Sequence, residues 1–167
     1  RLGELLYKIA SSWPDKLTLI FKDALKIDIS RIGIKPRRVI ANLPYNVGTE
    51  ILVRCLEKPN DFSSLTVMLQ KEVAERIIAS PGSKNYGRLS ILAGWHWESK
   101  LALRVNAKAF IPPPKVDSAI IYLKPKSKPI APANLITLSK VTRVVFSNRR
   151  KMLRSSLKEL GDPNKIC

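Results

Sequence analysis

Residues 38–52, RVIANLPYNVGTEIL (Arg38 to Leu52), carry a strand, a sharp turn and the start of a helix in one short run. Arg38–Leu43 reads as a strand with Val39, Ile40 and Ala41 as its apolar core, and Pro44 ends it because proline brings no N–H to a ladder. Thr49 stands as an N-cap and Glu50 puts negative charge into the first turn, so a helix is expected over Ile51–Glu57. A strand that feeds a helix through so tight a connection is the repeating unit of α/β folds.

Working outward, Leu65–Leu69 (LTVML) is a second continuous apolar strand, which suits a sheet covered on both faces. Leu17–Phe21 is a shorter β-branched and aromatic run closed by Lys22-Asp23, and is expected as a strand before it. Leu2–Ala10, Gln70–Ala79 and Tyr86–Trp97 place apolar residues at helical spacing. Leu101–Val105 and Ser118–Leu123 read as two more strands, and the absence of a helix between them makes an antiparallel edge pair. The stiff run Phe110-Ile111-Pro112-Pro113-Pro114-Lys115 separates them. Alternating lysine and proline over 124–132 mark a linker. Beyond it Leu135–Leu160 is helical, with Val144, Val145, Met152, Leu157 and Leu160 on an apolar stripe and Arg143, Arg149, Arg150, Lys151 and Arg154 on the other side. The expected division is a sheet domain over 1–125, a linker over 126–134 and a helical, basic part over 135–167.

Charge narrows the function. The 167 residues hold 30 Lys and Arg against 13 Asp and Glu, a net +17. Such an excess points to a polyanionic partner, nucleic acid first. No apolar run is long enough to span a bilayer. Two cysteines, Cys55 and Cys167, make no disulfide framework, and no CxxC or HExxH metal signature is present. A reducing, cytoplasmic setting is therefore expected. His96 has no evident partner and reads as structural.

The chemistry concentrates in Asn42-Leu43-Pro44-Tyr45. In an open α/β sheet, ligands bind outside the carboxyl ends of the strands, where this turn lies. An exocyclic amine such as adenine N6 is a poor nucleophile because its lone pair is delocalised into the ring. Accepting its hydrogens on the Asn42 side-chain oxygen and a nearby backbone carbonyl draws the nitrogen toward sp³ geometry, while the Tyr45 ring stacks on the base. Read alone, the turn is equally an ordinary strand-to-helix connection, since Asn and Pro are common turn residues. Asp23, at the end of the preceding apolar run, is either an acceptor for a nucleotide amine or a plain capping acid. Phe110, on its rigid loop, is either a stacking ring for an extruded base or a core residue.

Together these segments resemble the KsgA-type family of small-subunit rRNA adenine N6,N6-dimethyltransferases. The resemblance is carried in order by DAL (23–25), RVIANLPYNVGTEIL (38–52), MLQKEVAERIIASPGSKNYGRLSIL (68–92), AFIPPPKVDSAIIYLKP (109–125) and FSNRRKMLRSSLKEL (146–160). It implies an α/β, Rossmann-like class I methyltransferase sheet followed by a partial α-helical C-terminal domain. It also implies S-adenosyl-L-methionine as cofactor, and dimethylation of two adjacent adenines in a 3′-terminal hairpin of small-subunit rRNA. The partner would be the immature small ribosomal subunit, met by a monomer with no membrane involvement. By resemblance, Asp23 contacts the cofactor adenine and Asn42 serves both cofactor and target amine. Leu43, Pro44 and Tyr45 complete the target pocket, Phe110 stacks on the base, and Arg149, Arg150, Lys151 and Arg154 belong to the RNA-binding helices.

Two family elements have no counterpart in this sequence: the Gly-rich turn after a first strand, and the acidic residue ending a second strand. Residue 1 is Arg, so the chain is expected to be part of something longer. In the family sheet order 3-2-1-4-5-7-6, the first two strands would be missing and the third would lack a neighbour. The chain alone is expected to be marginally stable and to bind the cofactor weakly or not at all. Other readings are a non-catalytic RNA-binding or ribosome-assembly module, a large-subunit rRNA methyltransferase of the antibiotic-resistance type, and a DNA adenine methyltransferase. The last would carry Pro rather than Leu at position 43.

Overall fold

The computed structural model describes residues 2–147 and 153–161. Four strands form one sheet: β1 (Arg37–Asn42), β2 (Phe62–Gln70), β3 (Trp97–Val105) and β4 (Ser118–Pro125), in the spatial order β1-β2-β4-β3. β1 and β2 run parallel, with Val39 opposite Leu65 and Asn42 opposite Met68. β4 is antiparallel to both β2 and β3. This is the 4-5-7-6 portion of the expected order, with the antiparallel pair at the edge.

The helices follow the apolar pattern with shifted ends. α1 (Leu2–Ser11) opens the chain, α2 (Gly48–Leu56) follows β1, and α3 (Lys71–Ile77) and α4 (Arg88–His96) lie between β2 and β3. α2 begins earlier than expected. Val47 rather than Thr49 is its N-cap and bonds through no side chain, because the Pro44 carbonyl already accepts the Val47 and Gly48 amides. β2 runs through Gln70 directly into α3, and β3 starts at Trp97, immediately after α4.

The core lies between the sheet and α2, α3 and α4. Leu65, Val67, Leu69, Ile121 and Leu123 from the strands meet Ile51, Leu52, Leu56, Ala74, Ile77 and Ala93 from the helices. The opposite face is more open: Ile40 is 84% exposed and Leu103 57%. These two lie on the outer strands β1 and β3, whereas Thr66 and Met68 of the central β2 are half-buried on that face.

Leu17–Phe21 is not a strand. It has no ladder partner among the described residues, and Ile20 and Phe21 stay exposed. A β-strand is stabilised by the neighbour that takes its N–H and C=O groups, so apolar composition alone does not make one. The segment instead lies against α1, where the Phe21 and Tyr7 rings sit 5.4 Å apart.

The loop that follows is fastened by charge. Asp28 accepts the Ser30 amide at 3.1 Å, capping a short 3₁₀ turn, and takes Lys58 Nζ at 2.9 and 2.8 Å. The Lys58 ammonium first, and the Ser30 hydroxyl second, hold its carboxyl well below its ordinary value of 3.8. A carboxylate so depressed contributes stability that is complete above 3.8 and is lost as pH falls toward the folded-state value. Melting curves across pH 2–7 should therefore show Asp28→Asn below the parent protein at neutral pH and converging on it in acid.

Beyond β4, α5 (Leu135–Ser147) and α6 (Leu153–Leu157) form the helical part, with Val144 and Leu157 buried on the expected stripe and Arg143 exposed. The proline-rich segment before α5 is docked on the end of α4. The Lys126 amide donates to the His96 carbonyl at 2.8 Å, Ile130 to Trp95 at 3.0 Å, and Trp95 Nε1 to Ala131 at 2.8 Å. No helix of the described residues is long and apolar enough to cross a membrane.

Candidate active site at the carboxyl edge of the sheet

The turn after β1 is pinned at three points. Leu43 is 6% exposed, and its amide continues the ladder by donating to the Met68 carbonyl at 3.2 Å. The Pro44 carbonyl accepts Gly48 N–H at 2.7 Å and Val47 N–H at 3.3 Å, folding the chain into α2. The Tyr45 hydroxyl and the Ser118 hydroxyl share a 2.5 Å hydrogen bond. Strand alternation does the rest: with Leu43 turned into the core, Asn42 is left exposed at the strand end.

Close packing under the turn depends on Gly48. A Cβ there would lie 2.9 Å from Leu43 Cβ and 3.1 Å from Leu69 Cδ2. Leu43 Cβ sits next to the main chain and cannot swing away, so any added atom moves the turn itself. Gly48→Ala is expected to cost about 1–3 kcal/mol by overpacking, despite alanine's better helix propensity. Urea denaturation with both proteins side by side checks this.

The second wall of the edge is the loop between β3 and β4. Asn106 caps the 3₁₀ turn Ala107–Ala109 through its side chain, and half-buried Phe110 follows as its C-cap. Asp117 closes the loop with two bonds. Its carboxylate accepts the Ala107 amide at 3.0 Å and its carbonyl accepts the Lys71 amide, at the start of α3, at 2.9 Å. Ser118 opens β4 opposite Gln70 of β2 and Val105 of β3, and is completely buried. In the sequence Ser118 is simply the first residue of an apolar strand. The available signal was a hydroxyl at the head of that strand, which burial obliges to find a partner.

The expected residues are thus brought together unevenly. Asn42, Leu43, Pro44 and Tyr45 are contiguous, and Ser118 links them to the segment that bears Phe110. Asp23 lies on the exposed loop before Asp28, its Oδ1 accepting the Leu25 amide at 2.9 Å, and no hydrogen bond joins it to the turn. That loop reaches α2 through the Arg54 guanidinium, which donates to the Leu25 carbonyl. Arg149, Arg150 and Lys151 fall outside the described residues. Arg154 lies in α6, with only its backbone described. Arg76 pairs with Glu72 one helical turn away, as its spacing allows. His96 is half-buried, edge-on to Trp95, its Nδ1 buried without a partner. Burial pushes the Cys55 thiol up to about 11, which makes it an inert core residue. Among the described residues no group of His, Cys, Asp or Glu converges to hold a metal.

Comparison with known proteins gives these positions a context. The family model described as ribosomal RNA adenine dimethylase matches residues 2–166. A ribosomal RNA small subunit methyltransferase A from Rhodospirillum rubrum is 48% identical over 167 residues, which is 100% of this chain and 58% of that protein. Its counterpart from Xanthobacter autotrophicus is 50% identical over 165 residues, 96% of this chain and 57% of that one. The chain thus spans a little over half the length of the curated relatives it matches. Among solved structures, a dimethyladenosine transferase from Plasmodium falciparum superposes with a TM-score of 0.75 at 29% identity, covering 93% of this chain and 55% of that one. The 23S rRNA methyltransferase ErmE gives 0.70 at 24% identity, covering 95% and 63%, and supports the fold alone.

Proposed function

Because this chain belongs to the ribosomal RNA adenine dimethylase family, we propose that it carries the target-base half of an rRNA adenine N6-dimethyltransferase acting on the small ribosomal subunit. The observation that carries the reading is the exposed Asn42 held beside a turn pinned at Leu43, Pro44 and Tyr45. The identity near 50% to relatives named for the small ribosomal subunit favours the small-subunit substrate.

The residues act as follows. The Pro44 carbonyl already receives two amides, so the acceptors offered to an incoming N6 amine are the Asn42 side-chain oxygen and the Leu43 carbonyl. Two acceptors aimed at the two amine hydrogens turn the nitrogen lone pair away from the ring and toward its electrophile. Tyr45 and Phe110 hold the extruded base by its faces, as enzymes working on a base out of its stack require. A proton leaves the nitrogen after each transfer, which asks little of a general base. Arg149, Arg150, Lys151 and Arg154 are proposed to neutralise RNA phosphates, making binding fall with salt.

S-Adenosyl-L-methionine would supply the methyl, carried on a positively charged sulfur. Of the residues present, Asp23 suits its adenine end, being exposed with one carboxylate oxygen committed to Leu25, while uncharged Asn42, with both a donor and an acceptor, would lie nearer the methyl and the target amine. The test is transfer of labelled methyl from this cofactor to undermethylated small-subunit particles, using the full-length protein. The expected product is N6,N6-dimethyladenosine in small-subunit rRNA. Label found only in large-subunit rRNA, or none at all, would overturn the reading.

A further inference from the structure

We propose that Asp117-Ser118 is the positioning hub of this site, with the Ser118 hydroxyl fixing the angle at which the Tyr45 ring meets the base. The inference rests on the adenine reading above and goes one step deeper into the same site. Three segments that must cooperate converge on these two adjacent residues. The Asp117 carbonyl accepts the first amide of α3, the Asp117 carboxylate accepts the Ala107 amide three residues before Phe110, and the Ser118 hydroxyl shares a hydrogen bond with the Tyr45 hydroxyl.

Packing of β4 does not need the hydroxyl. The core-facing residues of β4, Ala119, Ile121 and Leu123, are all apolar, and Ser118, which alternates with them on the other face, is 0% exposed. A buried hydroxyl without a partner is costly, so the pair with Tyr45 is what makes serine tolerable there. A tyrosine in a turn is otherwise free to swing about its side-chain torsions. One 2.5 Å bond to a strand residue held by ladders on both sides removes that freedom. Ser118 touches no reacting atom in this scheme. It sets where Tyr45 stands relative to Phe110, and so the width of the slot that receives a base.

The test is a double-mutant cycle in the full-length protein with Ser118→Ala, Tyr45→Phe and both together. Methyl transfer is read alongside the fluorescence of an RNA hairpin bearing 2-aminopurine at the target. Each single change is expected to lower kcat about tenfold through misplacement, with KM for RNA moving less than about twofold. The double variant should be no slower than the slower single one, and 2-aminopurine should brighten in all three as stacking loosens. Tyr45→Phe removes the same bond from the half-buried side, so the cycle does not hang on how Ser118→Ala folds. Losses that multiply in the double variant, or wild-type rate and fluorescence in Ser118→Ala, would overturn the hub. Asn42→Ala serves as the reference. If it is inactive while Ser118→Ala is normal, only the hub falls; if it is fully active, the adenine reading falls and takes the hub with it.

Discussion

Asn42→Ala in the full-length protein is expected to cut methyl transfer by about 10²–10³-fold, the usual consequence of removing one aimed polar group from a reacting centre. Its melting temperature should barely move. Asn42 is exposed at the end of β1, and the neighbours that hold the turn, Leu43 in the core and Pro44 on the α2 amides, do not depend on its side chain. Surface substitutions of this kind usually stay within about 0.5 kcal/mol. The measurement is a pair: single-turnover methyl transfer and thermal melting on the same preparation. A large loss of rate with unchanged stability supports a role in the chemistry. A matching loss of both would make Asn42 a strand-end residue and nothing more.

Trp97→Ala is expected to produce the opposite pattern, a large loss of stability. Trp97 is 1% exposed at the junction where α4 becomes β3, and its Nε1 donates to the Leu56 carbonyl, the last of α2, at 3.1 Å. Alanine would empty a large core volume, at about 3–5 kcal/mol, and leave a helix-end carbonyl short of its donor. A drop on the order of 10 °C in melting temperature follows for a protein of this size. Trp97→Phe keeps most of the packing and loses the donor, so it should fall about 1–2 kcal/mol below the parent, the worth of one buried hydrogen bond. If phenylalanine proved as damaging as alanine, the bond to Leu56 would outweigh the volume.

Most of the fold could be read in the sequence where composition and pairing agree. The runs around Val39, Leu65 and Ile121 are strands because each has a neighbour and a helix to pack against. Leu17–Phe21 has a similar composition but no strand beside it among the described residues, and composition could not reveal that difference. The helix starts at Gly48 rather than at the expected Ile51, with Val47 in place of Thr49 as its N-cap, because the Pro44 carbonyl accepts the Val47 and Gly48 amides and begins the turn earlier. Of the candidate site, the contiguous turn 42–45 was legible because four informative residues stand together. Asp117 and Ser118 were not. Their meaning lies in contacts spanning tens of residues, as in the bond between positions 45 and 118, and a single sequence carries no mark of distance in space.

The seat of Leu43 has a practical corollary for anyone seeking a hardier protein. Because Leu43 both fills the interior and directly follows Asn42 in the chain, a change that tightens the packing around it would also shift the proposed site. Gains in heat tolerance would have to come from the outer flanks of the helices, leaving the few ångströms between Leu43 and Gly48 untouched.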